Sequence, residues 1–264
     1  MHSSSLDLYR AGASFWHGLD ARIKLTITLA YVLTVSLMPV GAWPAYVLLS
    51  AFVLSVAVAS ELGIWMMLRR ALLALPFVLA ALPLLVTTPG SVILSVSVGK
   101  WSLPLTSTGL ERFLSIGCKS WLSVQMAVLL TATTPLPDLL VALRALHLPA
   151  LLVATVGLMW RYLFVLVDEA MRMLRAREAR SAEGEGRGRG SVIWRARVTG
   201  SMAGSLFLRG YDRSERIYNA MLARGYDGTI RSLPAKLISV RQRWVAALAI
   251  GMLLVLLWLG QWMR

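Results

Sequence analysis

The sequence predicts an all-α integral membrane protein with about five transmembrane helices and a cytoplasmic domain of long amphipathic helices. Three observations carry this. The chain is 57% hydrophobic with mean hydropathy +0.67. Only 15% of its residues are charged, against about 25% in soluble domains. Its basic residues are also unevenly placed: of 27 Lys and Arg, 16 lie between Arg172 and Arg243. A net charge of +14 could suggest nucleic acid, but clustering beside apolar runs is first a topology signal, marking the cytoplasmic side.

Taken in order, residues 1–22 are polar with interleaved aromatics. They read as an interfacial segment rather than a cleavable leader, because the apolar run that follows is long enough to span. Asp20 caps the first span, which runs from Ile23 to Pro39. Val40–Pro44 is a turn with Trp43 at the interface, and the second span covers about Ala45–Ser60. Arg69 and Arg70 close a short connection. Ala71–Val86 is a third span that Pro76 and Pro83 should kink. Residues 89–108 alternate apolar and polar around Gly99-Lys100, the pattern of a small hairpin or extended loop. The fourth span lies between Gly109 and Thr134, and its Arg112, Lys119 and Gln125 must face protein, water or the interface.

Beyond Thr134 the character changes. Pro137-Asp138 opens a short amphipathic helix that Pro149 ends. Residues 148–180 form one long helix, apolar to Val167 and basic after it. EGEGRGRG is a flexible break by composition. A second amphipathic helix runs from about Val192 to Arg224, with Val198, Met202, Leu206, Ile217 and Met221 on one stripe. Gly200 and Gly204 have the small-xxx-small spacing of a close helix crossing. Trp244–Met263 is the last span. Hydropathy alone counts six spans. If residues 149–167 crossed, however, the Arg-dense block would lie outside, so charge favours five, with residues 149–167 along the cytoplasmic boundary. The resulting division is a membrane domain of four spans over 1–134, cytoplasmic helices over 135–240 and a C-terminal span over 241–264.

Chemistry is conspicuous by its gaps. Cys118 is the single cysteine, which excludes an internal disulfide and a thiolate metal cluster. His2, His17 and His147 are scattered outside the spans and read as interfacial or solvated imidazoles. The spans carry no central Asp or Glu for a proton relay. No Walker loop is present, so any ATP is hydrolysed by another chain. The sequence therefore assigns no catalytic residue, no metal ligand and no cofactor. What it does present is a matched pair of helix ends, Ala179-Arg180-Ser181 and Ala223-Arg224-Gly225. Singly, each is an ordinary stop, with Arg suiting the macrodipole and Gly225 an αL residue. As a pair joined by a basic linker, they look built to push on a partner.

Several stretches resemble a known family: LDARIKL at 19–25, TTPLPDLLVALRALHLP at 133–149, RYLFVLVDEAMRMLRAREARS at 161–181 and SERIYNAMLARGYDG at 214–228. The chain is similar to the transmembrane T component of energy-coupling-factor (ECF) transporters, the CbiQ/EcfT family, with its strongest likeness to the cobalt type. The resemblance implies that residues 135–240 are coupling helices. It also implies that Ala179, Arg180, Ser181, Ala223, Arg224 and Gly225 dock on two ABC ATPase subunits, and that the spans scaffold a separate substrate-binding membrane subunit. Ser181 stands where the family usually has glycine. The competing class is a membrane enzyme acting at the cytoplasmic lipid interface. It would need a cluster drawn from Asp168, Glu169, Asp212, Glu215 and Asp227, of which Asp212 is better read as an i,i+4 partner of Arg216. A basic surface-binding module does not explain five spans.

Overall fold

The computed structural model describes residues 9–10, 12–98, 101–181, 192–228 and 238–262. Helices dominate it, in the order α1 (Ala21–Leu37), α2 (Trp43–Ala59), α3 (Ile64–Ala71), α4 (Leu75–Ala80), α5 (Leu84–Thr87), α6 (Ser107–Thr133), α7 (Leu136–Ala145), α8 (Ala150–Ser181), α9 (Val192–Ala223) and α10 (Val240–Trp262). The chain divides into two compact units, Leu143–Pro234 and His2–Ala142 with Ala235–Arg264.

In the second of these units helices occupy each stretch expected to span, with local causes for their ends. The Asp20 side chain accepts the Arg22 N–H at 2.9 Å and starts α1. Pro44 lies in the first turn of α2, where its missing N–H costs nothing. The third span is broken, as its prolines require. After α3 comes a 3₁₀ turn (Leu72–Ala74), then α4 with Pro76 in its first turn, and α5 with Pro83 as its N-cap. The expected hairpin follows as β1 (Val92–Val98) and β2 (Trp101–Thr106), antiparallel from Val92 opposite Thr106 to Val98 opposite Trp101. Gly99 and Lys100, and the EGEGRGRG break from Glu183 on, lie outside the described residues.

Four helical segments are long and apolar enough to cross a membrane: Trp65–Thr87, Ser107–Thr133, Ala150–Arg180 and Val240–Trp262. The apolar helix α2 is shorter, and at about 1.5 Å per residue its 17 residues reach roughly 25 Å. The core draws on α1, α2, α6 and α10 through Ile27, Tyr31, Leu49, Val53, Met126, Leu129 and Leu253, all essentially inaccessible. Tyr31 stacks on Phe52 with centroids 5.6 Å apart. Its hydroxyl donates to the Leu49 carbonyl at 3.1 Å, so the one polar atom of that ring is satisfied.

Two lysines join α1 and α6. Lys24, buried in α1, donates from Nζ to the Thr133 carbonyl at 3.1 Å and the His17 carbonyl at 3.2 Å. Lys119 of α6 donates to the Met38 carbonyl at 2.6 Å and the Ser36 carbonyl at 3.2 Å. Each lysine thus takes carbonyls that the end of the other helix leaves open. The Arg10 N–H takes a third, the Ala132 carbonyl, at 2.9 Å. His17 is part of the same segment: its Nε2 bonds the Arg10 carbonyl at 3.1 Å, and Nδ1 lies 2.6 Å from Ser14 Oγ.

Replacing Lys24 by Met keeps the bulk and deletes two charge-assisted bonds, each worth about 1.5–3 kcal/mol. Lys24→Met and Lys119→Met should each lower the unfolding temperature of the detergent-solubilised protein by several degrees, while Arg112→Met, exposed on α6, leaves it in place. Thermal unfolding followed by tryptophan fluorescence measures this, and an unchanged midpoint for Lys24→Met would remove the staple from the account.

Candidate functional site

The unit Leu143–Pro234 is built on α8 and α9. Each has 32 residues, about 48 Å at 1.5 Å per residue. Before them, α7 stops in a full Schellman arrangement. His147 adopts φ +63°, its N–H bonds the Arg144 carbonyl, and the Leu148 N–H bonds the Leu143 carbonyl. His147 is therefore a helix stop, and Pro149 follows it as expected.

The stripe on α9 is real. Val198, Met202, Leu206, Ile217 and Met221 are all partly covered, while most of the residues between them are exposed, and α8 packs against α9. The close approach sits at Gly210, where an added Cβ would lie 3.4 Å from Leu166 Cδ2. Glu169 of α8 pairs beside it with Arg209 of α9 at 2.5 Å and with its own-helix neighbour Arg172. The expected crossing at Gly200 and Gly204 is corrected by this. Among the described residues nothing lies within 4 Å of a Cβ at either position. The physical reason is phase: positions 198, 202, 206 and 210 step along one face, whereas 200 and 204 are turned roughly 200° from it. The expected Asp212–Arg216 pair is also absent from the described ion pairs. Both groups are exposed, and there the entropy of holding two long side chains cancels the attraction.

The two arginine ends are placed evenly about this contact. Arg180 follows Leu166 by 14 residues, and Arg224 follows Gly210 by 14. Each arm is about 21 Å if straight. Ala179 and Arg180 are exposed in the last turn of α8, and Ser181 is its last residue. Ala223 ends α9. Its stop is another complete Schellman motif. Gly225 has φ +79°, its N–H bonds the Leu222 carbonyl at 2.9 Å, and the Tyr226 N–H bonds the Met221 carbonyl at 3.0 Å. Arg224 is thereby held at the rim of the last turn with its side chain in solvent. The αL conformation favours glycine because a Cβ would press on the following carbonyl.

The carboxylates that a membrane enzyme would need do not converge. Glu169 is engaged by two guanidiniums, and among the described residues no three His, Cys, Asp or Glu side chains group together.

Comparison with known proteins decides the family. The family model described as cobalt transport protein, CbiQ, matches residues 12–236. The chain belongs to the CbiQ/EcfT family. Among CbiQ/EcfT relatives, it is 28% identical over 240 residues to an energy-coupling factor transporter transmembrane protein, EcfT, of Listeria innocua, covering 86% of each chain. It is 29% identical over 157 residues to the cobalt transport protein CbiQ of Rhodobacter capsulatus, covering 60% of this chain and 62% of that one. Over 120 residues it is 32% identical to the nickel permease LarQ of Lactiplantibacillus plantarum, covering 46% of this chain and 41% of that one. Members of the CbiQ/EcfT family are membrane components of ECF transporters, and the long apolar helices above make this one a multi-pass membrane protein.

Two consequences can be measured. Gly210→Leu should drive α8 and α9 apart and raise amide exchange in both, whereas Gly204→Leu leaves exchange unchanged; the reverse order would return the crossing to Gly204. Gly225→Ala puts a Cβ in the αL region at a cost of about 1–2 kcal/mol. The Gly225 and Tyr226 amides should then exchange roughly tenfold faster, with α10 unaffected.

Proposed function

We propose that this chain is the transmembrane coupling subunit of an ECF-type ABC importer that takes up cobalt. The observation that carries the reading is the even placement of Arg180 and Arg224, each 14 residues beyond the Leu166–Gly210 contact. Two equal arms suit two equivalent partners. In this reading each arginine docks on one ABC ATPase subunit, with Ala179 and Ser181 flanking the first and Ala223 and Gly225 flanking the second. A guanidinium suits the task because its planar fork bonds carboxylates or carbonyls in pairs.

The chain acts here as a lever and not as a catalyst, and it needs no cofactor of its own. ATP binding between the ATPase subunits changes the separation of the two docked ends. Rotation of α8 against α9 about the Gly210 contact converts that motion into movement at the apolar arm of α8, where a substrate-binding membrane subunit responds. Recognition of the metal ion belongs to that subunit. Cobalt is favoured by the family description and by the Rhodobacter relative's name. The nickel permease among the relatives makes nickel the second reading. By the positive-inside rule the arginine-rich block, residues 168–243, faces the cytoplasm, and the spans lie in the inner membrane of the cell.

The double variant Arg180→Ala with Arg224→Ala should release the ATPase from the purified complex while leaving thermal unfolding of the subunit unchanged. Each single change should weaken docking roughly ten- to a hundredfold, from loss of charge-assisted bonds worth about 1.5–3 kcal/mol. Lysine at either position should restore only part of the affinity. Full retention of ATPase by the double variant refutes the docking role.

Topology supplies a separate check. In a Cys118→Ser background, a cysteine at position 188 should be protected from an impermeant thiol reagent in intact cells, and one at position 264 should react. Equal reaction from outside rules out this orientation.

A further inference from the structure

The contact between α8 and α9 has a second copy of its parts one turn further along α9. Gly210 lies against Leu166, and Arg209 beside it holds Glu169 across the helix pair at 2.5 Å. Four residues on, the same order recurs as Arg213 followed by the small Ser214, about 6 Å along the axis. Serine fits where glycine now sits, because an added Cβ at Gly210 meets Leu166 Cδ2 at 3.4 Å, an ordinary van der Waals distance. Arg213 is half-buried on the wall of an apolar groove of about 970 Å³ between the two helices. Among the described residues it makes neither an ion pair nor a hydrogen bond. Its own helix offers no partner, since Asp212 and Glu215 stand one and two positions away and face elsewhere. On α8, Asp168 and Glu178 are exposed. That leaves Glu169, already between Arg172 and Arg209.

We propose that Glu169 is a two-position latch, holding Arg209 in this conformation and passing to Arg213 when α9 advances by one turn. Ser214 then takes the place of Gly210 against Leu166. Arg172, on the same helix as Glu169, keeps hold of the carboxylate in both positions, and Arg209, already mostly exposed, returns to water at little cost. Packed helices change register in such discrete steps because their surfaces interlock. The inference rests on the lever reading above and identifies what drives the lever. A membrane partner that lays an apolar face in the groove strips water from Arg213, which is unfavourable while that guanidinium is unpaired. Passing Glu169 to Arg213 removes the penalty. The same step shortens the arm that ends in Arg224 from 14 residues to 10, counted from the residue against Leu166. Partner docking and the separation of the arginine ends are thereby linked, each favouring the other by the same factor.

The test reads the distance between spin labels on Ala176→Cys and Ala220→Cys, both exposed positions, in the purified full chain with Cys118→Ser. Arg209→Gln removes the first position and should shift the main distance by roughly 5 Å, close to one turn. Arg209→Lys keeps the charge and should leave the distance in place. Adding Arg213→Gln to Arg209→Gln should abolish the shift, and so should adding Ser214→Leu, which blocks the second register by bulk. Adding Arg216→Gln, exposed and outside the groove, should leave the shift intact. An unmoved distance in Arg209→Gln overturns the latch. So does a change that ignores Arg213 and Ser214, which is what a salt bridge with only a structural role gives. The labels are read without any ATPase present, so the two readings fail separately. Retention of the ATPase by the natural chain with an unmoved distance here sinks the latch alone, whereas loss of ATPase docking with the shift intact sinks the docking role alone.

Discussion

Within a bilayer a carbonyl freed at a helix end has no water to turn to, and that constraint organises the unit built on α1, α2, α6 and α10. The pair α1 and α6 meets it reciprocally. Lys24 reaches the Thr133 carbonyl at the end of α6, and Lys119 reaches the Met38 and Ser36 carbonyls at the end of α1. A lysine in an apolar setting is expensive unless its ammonium is well supplied with acceptors. A helix end there is expensive unless its carbonyls find donors. Each group resolves the other's difficulty. The register of α1 on α6 follows, and with it the seating of Tyr31 and Met126 in the core.

The other unit works under the opposite condition. The face that α9 turns toward α8 is narrow, and its residues are only partly covered. What locates the two helices against one another is a short set of interactions: Leu166 over Gly210, and Glu169 held between Arg172 and Arg209. A single small residue at the contact, with a two-pronged ion pair beside it, leaves long arms free on both sides. The Schellman stops give definition where the arms end, because their hydrogen bonds fix the last turn without needing a packed neighbour.

An apolar groove runs along the same two helices that end in Arg180 and Arg224. Its walls read as membrane surface, while its charged positions read as aqueous surface. Arg213 sits where the two meet.

Much of this was legible from residue order alone. Apolar run length and proline position are local properties, so the helical segments, the broken third segment, the hairpin and both long helices could be read directly. The Asp20 cap and the glycine stop at Gly225 were legible for the same reason, since capping is decided within one turn. The stripe of Val198, Met202 and Leu206 also contained the clue to the true contact, because Gly210 continues its phase and Gly200 and Gly204 do not. Sequence reasoning weighed the spacing of the two glycines and missed the face they share. Other features depended on parts of the chain far apart in order. Nothing near Lys24 announces Thr133, nothing near Arg209 announces Glu169, and no local pattern reveals that Arg213 faces an apolar wall. Local conformational preference determined the elements; only packing of distant segments could decide which carbonyl each lysine meets and which glycine the helices cross upon.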